Sequence, residues 1–136
     1  MDNLALSKQI AASGMKAQSM RLRIVSENMA NADSLSKVPG GQPYRRKILT
    51  FRNELDKATG AEMVKVGRVS KDRSELERKY DPNHPAAGVD GYVLMPNVNP
   101  LTETMDMKEA QRSYEANLNV ISVSKDMMTR TLDIIR

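Results

Sequence analysis

All six prolines and six of the seven glycines lie between Pro39 and Pro100. A proline inside a helix removes a backbone donor and clashes with the turn before it, so only the two ends of the chain can carry long unbroken helices. Gly14 is the one interruption there. The 136 residues therefore divide into an N-terminal helical arm over 1–35, a β-rich insert with loops over 36–98, and a C-terminal helical arm over 99–136.

In the first arm Ala11, Met15, Gln18, Leu22, Val25, Met29 and Ala32 follow one another at alternating spacings of four and three, the pattern of a heptad seam. A second stripe of Ile10, Gly14, Ala17, Arg21, Ile24 and Asn28 runs beside it. Two stripes exceed what one partner helix needs, which predicts several neighbours. A helix from about Leu4 to Ala32 is ~43 Å long at the usual rise.

The second arm begins with Asn99 as N-cap and Pro100 at the first helical position. Glu103, Asp106 and Glu109 suit its early turns through the helix dipole. Its seam runs from Met107 through Tyr114, Leu118, Ile121, Lys125, Met128, Leu132 and Ile135, with Lys125 the one polar member. The expected fold is mainly α, two long terminal helices pairing as a coiled coil around a small β-rich insert. Met15, Met20, Met29, Met105, Met107, Met127 and Met128 lie in these arms, and flexible thioethers suit either core packing or contacts with slightly different neighbours. Both arms are expected to order fully only when neighbouring subunits cover both stripes.

Within the insert, Tyr44 to Phe51 is rich in strand formers. Val64 and Val66 alternate up to Gly67, after which Val69 has the opposite parity, as at a bulge or bend. Tyr92 to Met95 reads as a further short strand. Pro39-Gly40-Gly41, Asp81-Pro82-Asn83-His84-Pro85 and Pro96-Asn97-Val98-Asn99 carry turn chemistry.

The chemistry available is narrow. Without cysteine there are no disulfides, thiolate nucleophiles, zinc-thiolate sites or iron–sulfur clusters. His84, the single histidine, sits between two prolines in a polar loop and reads as structural, with no partner serine pattern for a nucleophile. No glycine-rich phosphate loop is present, since Gly40-Gly41 is followed by Pro43 and lacks the lysine. The expectation is no enzyme, no cofactor and no metal. No stretch approaches the apolar length of a membrane span, and the start of the chain lacks the compact apolar run of a secretory signal.

The formal net charge is +4, and nearly all of the basic excess lies in residues 36–80, with twelve Lys/Arg against six Asp/Glu. Glu54, Asp56, Asp72, Glu75 and Glu77 interrupt that stretch, so it reads as a mixed-charge, solvated surface more than as a phosphate-binding stripe.

Several motifs carry a resemblance. Glu27-Asn28-Met29-Ala30-Asn31-Ala32-Asp33 resembles the asparagine-containing motif that ends the N-terminal helix of flagellar rod and hook proteins. Tyr80-Asp81-Pro82-Asn83-His84-Pro85-Ala86-Ala87, Gly91-Tyr92-Val93 and Pro96-Asn97-Val98-Asn99 resemble the signature of one proximal rod family. Arg112-Ser113-Tyr114-Glu115-Ala116-Asn117, then Lys125, Met127-Met128 and Thr131-Leu132, resemble the terminal helix of those proteins. The entry Pro100-Leu101-Thr102-Glu103 departs from the usual pattern, which is more acidic or apolar.

The resemblance implies a structural subunit of the proximal rod, the drive shaft that passes torque from motor to hook and filament. It implies export, unfolded, through the flagellar type III apparatus without a cleaved signal peptide. Assembly would be in the periplasm, with itself and other rod subunits, toward the MS-ring and export-gate side of the basal body. Helix and subunit packing is expected at Met15, Leu22, Val25, Met29, Tyr114, Leu118, Ile121, Met128, Leu132 and Ile135. The motif positions are Asn28, Asn31, Asp81, Pro82, Asn83, His84, Pro85, Tyr92, Pro96, Asn97 and Asn99. Two alternatives stand beside it: a paralogous proximal rod protein, and a small nucleic-acid-binding module with Arg45, Arg46 and Lys47 on phosphates beside Tyr44. A hydrolase acting through His84 is the weakest reading.

Overall fold

The computed structural model describes residues 2–135. Two long terminal helices, α1 (Asp2–Ala30) and α2 (Pro100–Ile135), pack together, with a small β region between them in sequence. That region holds β1 (Lys47–Leu55), β2 (Glu62–Lys71), β3 (Arg78–Tyr80) and β4 (Tyr92–Leu94). They form two two-stranded sheets, β1 with β2 and β3 with β4. The two terminal arms form the helices, as the sequence predicts, and α1 stops at Ala30 because the asparagine motif closes it.

The start of α2 follows the predicted cap. Asn99 Oδ1 accepts from the backbone N–H of Leu101 at 3.0 Å and of Thr102 at 3.4 Å, and its carbonyl accepts from Glu103 N–H at 3.0 Å. These bonds satisfy donors that no intrahelical acceptor reaches. At the other helix junction Asn31 Nδ2 donates to Glu27 O at 2.8 Å, and Asn31 Oδ1 accepts from Ser34 Oγ at 3.0 Å.

The chain divides into two compact units, each built from several segments. The first comprises α1 up to Leu22, the hairpin part Leu49–Arg68, and α2 from Met107 on. Here α1 and α2 run antiparallel: Gly14 lies against Asn117, and Arg21 pairs with Glu109 at 3.7 Å. The buried residues are small, Ala11, Ala17, Ala61, Ala110 and Ser124, which permits close approach of the backbones. Val64 N–H in β2 donates to Ser13 Oγ of α1 at 3.3 Å. The hairpin tip is closed by Asp56 N–H to Ala61 O at 2.8 Å and Gly60 N–H to Asp56 O at 2.7 Å. Gly60 takes a φ of 69°, which a side chain rarely adopts.

The second unit comprises Arg23–Ile48 and Val69–Asp106. Its buried apolar residues include Ile24, Val25, Ala86 and Val93. β3 and β4 pair antiparallel with Arg78 opposite Leu94, Lys79 opposite Val93 and Tyr80 opposite Tyr92. The charged spacing of Glu75 to Lys79 concealed β3, because only the ladder to β4 makes this stretch extended. Tyr80 and Tyr92 meet edge to face at 5.3 Å, and the Arg78 guanidinium lies 4.9 Å from the Tyr92 ring centre.

Candidate functional site

The most buried polar side chains of the second unit are Glu103, 0% exposed, and Asn28, 1% exposed. Asn28 stands in the last turns of α1 and Glu103 in the first turn of α2. Asn28 Nδ2 donates to Lys47 O at 2.9 Å and to Glu103 Oε2 at 3.2 Å. Asn28 Oδ1 accepts from Tyr44 Oη–H at 2.7 Å and from Lys47 N–H at 2.9 Å. A buried amide has two donors and two acceptor sites, and here all four are used.

Glu103 is held on its other oxygen by Arg46 Nε, while Arg46 Nη2 reaches Asp106 Oδ2 at 3.2 Å. A fully buried carboxylate is tolerable only when paired and hydrogen-bonded, and Arg46 and Asn28 supply both. Arg46 N–H donates to Asn97 Oδ1 at 2.7 Å, and Asn97 Nδ2 donates to Asp72 O at 3.2 Å and Ser74 Oγ at 3.0 Å. On the outer side Lys47 Nζ donates to Glu27 Oε2 at 2.7 Å, and Arg23 Nε lies 3.4 Å from Glu27 Oε1. The pairing with Lys47 holds the Glu27 carboxyl below its usual range and raises the Lys47 ammonium. Burial pushes the Tyr44 phenol up.

The loop from Asp81 to Gly91 is tied by backbone bonds. Asp81 N–H donates to Gly91 O at 3.0 Å, His84 N–H to Asp81 O at 3.2 Å and Ala87 N–H to His84 O at 2.9 Å. His84 Nδ1 accepts from Ala86 N–H at 3.0 Å, so that nitrogen is occupied in holding the loop. Gly91 has φ 78°, and a Cβ there would stand 2.8 Å from the Tyr80 ring and 3.3 Å from Pro82. Pro82, Asn83 and Pro85 are exposed at the turn, and Pro96 is buried ahead of α2. Tyr92 is partly open on its strand.

Along the helices, the buried positions Ala17, Ile24 and Asn28 fall on the second stripe of α1. Of the residues expected in helix or subunit packing, Val25 is buried, and Met15, Leu22, Met29, Tyr114, Ile121 and Met128 are half-buried. Leu118, Leu132 and Ile135 are exposed. The face of α2 that is most covered carries Glu103, Ala110 and Ser124, with Asn117 half-buried between them. Lys125 is exposed, one position away from that face.

A further apolar stripe was missed by the sequence reading. Val120, Val123, Met127 and Ile134 are exposed on α2, at spacings of three, four and seven. That spacing is itself a heptad signal, overlooked because Tyr114, Ile121 and Met128 carry a stronger one. With Leu118, Leu132 and Ile135 also exposed, the second half of α2 shows apolar side chains on more than one side, beside a polar face of Asn119, Asp126, Arg130 and Asp133. The connection of Arg46 to Glu103 was also missed, since nothing local links residues 57 apart.

The basic segment is engaged internally. Arg45 Nη1 donates to the carbonyls of Asp72 and Ser74, both at 3.2 Å, while Arg46 and Lys47 face Glu103 and Glu27. Among the described residues, no group of three or more His, Asp or Glu is placed to hold a metal ion, and no helix is long and apolar enough to cross a membrane. The arrangement locks segments together and displays apolar helix surface.

Comparison with known proteins agrees. Residues 9–34 match the family model described as flagella basal body rod protein, and residues 89–134 match that of the flagellar basal body rod FlgEFG protein C-terminal region. The chain is similar to the flagellar basal-body rod protein FlgC of Agrobacterium fabrum, at 52% identity over 100% of this chain and 98% of that one. FlgC of Salmonella typhimurium is 40% identical over 92% of both chains, and FlgC of Bacillus subtilis 35% over 94% and 95%.

Proposed function

Because the chain belongs to the FlgC family of flagellar basal-body rod proteins, structural subunits of the proximal rod and not enzymes, we propose that the exposed apolar stripes of α2 are its contacts with neighbouring subunits. Assembly with rod subunits follows from the family; the finer reading concerns which surfaces serve and which partners they meet. Further copies of this chain and other rod proteins cover Leu118, Leu132 and Ile135 on one side and Val120, Val123, Met127 and Ile134 on the other.

The observation that carries this is the exposure of seven large apolar side chains on the last 18 residues of α2, Leu118 to Ile135. Large apolar stripes left open on a helix are stable in water chiefly when something covers them. Torque passes through a shaft whose subunits grip one another over many lateral contacts, and stripes on separate helix faces provide contacts in more than one direction.

In the same reading the chain leaves the cytoplasm unfolded through the flagellar type III apparatus and joins the rod on the MS-ring and export-gate side. Met15, Leu22, Tyr114, Ile121 and Met128 take part in helix packing within the first unit, and Val25 and Met29 within the second. The asparagine, Asp81–Pro85, Tyr92 and Pro96–Asn99 motifs hold the non-helical part in shape. No observation favours nucleic acid over this reading, since Tyr44, Arg46 and Lys47 are committed to Asn28, Glu103 and Glu27.

The test is deletion of the gene in its host, with complementation by the full chain and by versions lacking residues 1–35 or 99–136. Purified basal bodies are then imaged by electron microscopy. Loss of rod, hook and filament, rescued by the intact chain alone, is expected. Normal flagella in the deletion strain would overturn the reading.

A further inference from the structure

The covered stripe of α2 repeats every seven residues as Glu103, Ala110, Asn117, Ser124 and Thr131. From Ala110 onward these residues are small or short and polar, and Gly14 of α1 lies against Asn117. Sliding α2 by seven residues therefore exchanges one small side chain for another, with little steric penalty and little change in apolar burial. This stripe therefore supplies little of the interdigitation that usually fixes register, and the half-buried Tyr114, Ile121 and Met128 beside it also recur every seven residues.

The buried cluster opposes that degeneracy. In the slipped pairing Ala110 would stand where Glu103 stands, and Asn28 Nδ2 and Arg46 Nε would both lose their carboxylate acceptor. Asn28 is 1% exposed, so its abandoned donor would have no water to turn to. Sliding the other way would bring Pro96, which lies outside the helix, to the same place. The cluster also engages both the N–H and the C=O of Lys47, so a change of register would disturb β1 as well.

We propose that the buried Asn28–Glu103–Arg46 cluster is the register key of the α1–α2 pairing, a set of positioning residues that selects one alignment of two helices whose remaining contact is permissive. A buried polar group is a poor source of stability compared with an apolar replacement, and specifying alignment is its best-attested use.

The natural chain has no cysteine, so disulfide trapping reports register cleanly. A Cβ on Gly14 would lie 3.2 Å from Asn117 Cγ, within reach of a disulfide between Gly14→Cys and Asn117→Cys. The slipped alignment is reported by Gly14→Cys with Ser124→Cys, one heptad further. Both pairs are oxidised slowly in the purified full-length chain, in three backgrounds: otherwise natural, Arg46→Met with Glu103→Leu, and Asn28→Ala. Far-UV circular dichroism monitors helix content.

The expected result is closure of the 14–117 pair alone in the natural background. The slipped pair should rise ~10-fold or more in either altered background, with helix content retained. In Tyr44→Phe, which leaves the Glu103 carboxylate its bonds from Asn28 and Arg46, the single register should persist. Unchanged dominance of the 14–117 pair in both altered backgrounds would overturn the proposal. So would loss of helix content in both, which would make the cluster a requirement for folding and not a selector of register.

Discussion

The side-chain amide of Asn117 occupies the space that a side chain on Gly14 would need: a Cβ placed on the glycine lies 2.8 Å from Nδ2 and 3.2 Å from Cγ. Glycine in a helix interior costs up to ~1 kcal/mol relative to alanine, so its presence here reflects the closeness of α1 and α2. Gly14→Ala should be nearly neutral, because the short amide can swing aside while helix propensity improves. Gly14→Leu should cost ~1–3 kcal/mol by forcing the helices apart. Combining Gly14→Ala with Asn117→Ala should exceed the natural chain in melting temperature, measured by circular dichroism, since the clash goes and the propensity gain stays.

The two hydroxyl and guanidinium partners of the buried cluster should differ sharply in cost. Tyr44→Phe removes one bond to Asn28 Oδ1, which keeps Lys47 N–H, and should lose ~0.5–1.5 kcal/mol. Arg46→Met leaves the fully buried Glu103 with Asn28 as its remaining partner here and should lose ~3–5 kcal/mol. Urea unfolding of the purified variants measures both. Equal costs would mean that the Glu103 carboxylate is not dependent on Arg46.

Stability should fall at both ends of the pH scale for identifiable reasons. Glu27 and Glu54 are held below the usual 4.5 by hydrogen bonds from Lys47 and Lys65. Asp72 and Asp90 lie below the usual 3.8 through the backbone N–H groups of Ser74 and Tyr92. Groups lowered in this way contribute stability that is present above their unfolded values and is lost as pH falls through the folded ones. Lys47 is raised above 10.5 by Glu27 and Tyr44 above 10.0 by burial, so their contributions are complete below those values and vanish as pH rises beyond them. The urea midpoint should be level between about pH 5 and pH 9 and decline outside that window. Lys47→Met should soften both limbs, because it removes a partner from Glu27 and a titrating group from the alkaline side.

Much of this was legible in the sequence, and the parts that were not share a cause. Helix boundaries are written locally: Asn99 and Pro100 open α2, and no proline interrupts either arm beyond that first position. Glu103 was legible only as an acid suiting a helix N-terminus; its burial depends on Arg46 and Asn28, 57 and 75 residues away. Likewise Arg45, Arg46 and Lys47 looked like a solvated basic run until each met its acceptor. Apolar spacing singles out Tyr114, Ile121 and Met128, which are half-buried, together with Leu118, Lys125 and Leu132, which are exposed, and it passes over the buried Ala110 and Ser124. Hydrophobicity counts large side chains, and a close helix contact is made of small ones.

The central claim is that the exposed stripes of α2 bind neighbouring rod subunits. The most direct measurement is electron microscopy of basal bodies from a strain whose only copy of the gene carries Val123→Asp and Met127→Asp, two side chains that are 53% and 52% exposed. Circular dichroism of the purified variant runs alongside it. The account predicts an unchanged monomer fold with the rod, hook and filament lost. Complete rods from a strain in which both exposed positions carry aspartate would contradict it.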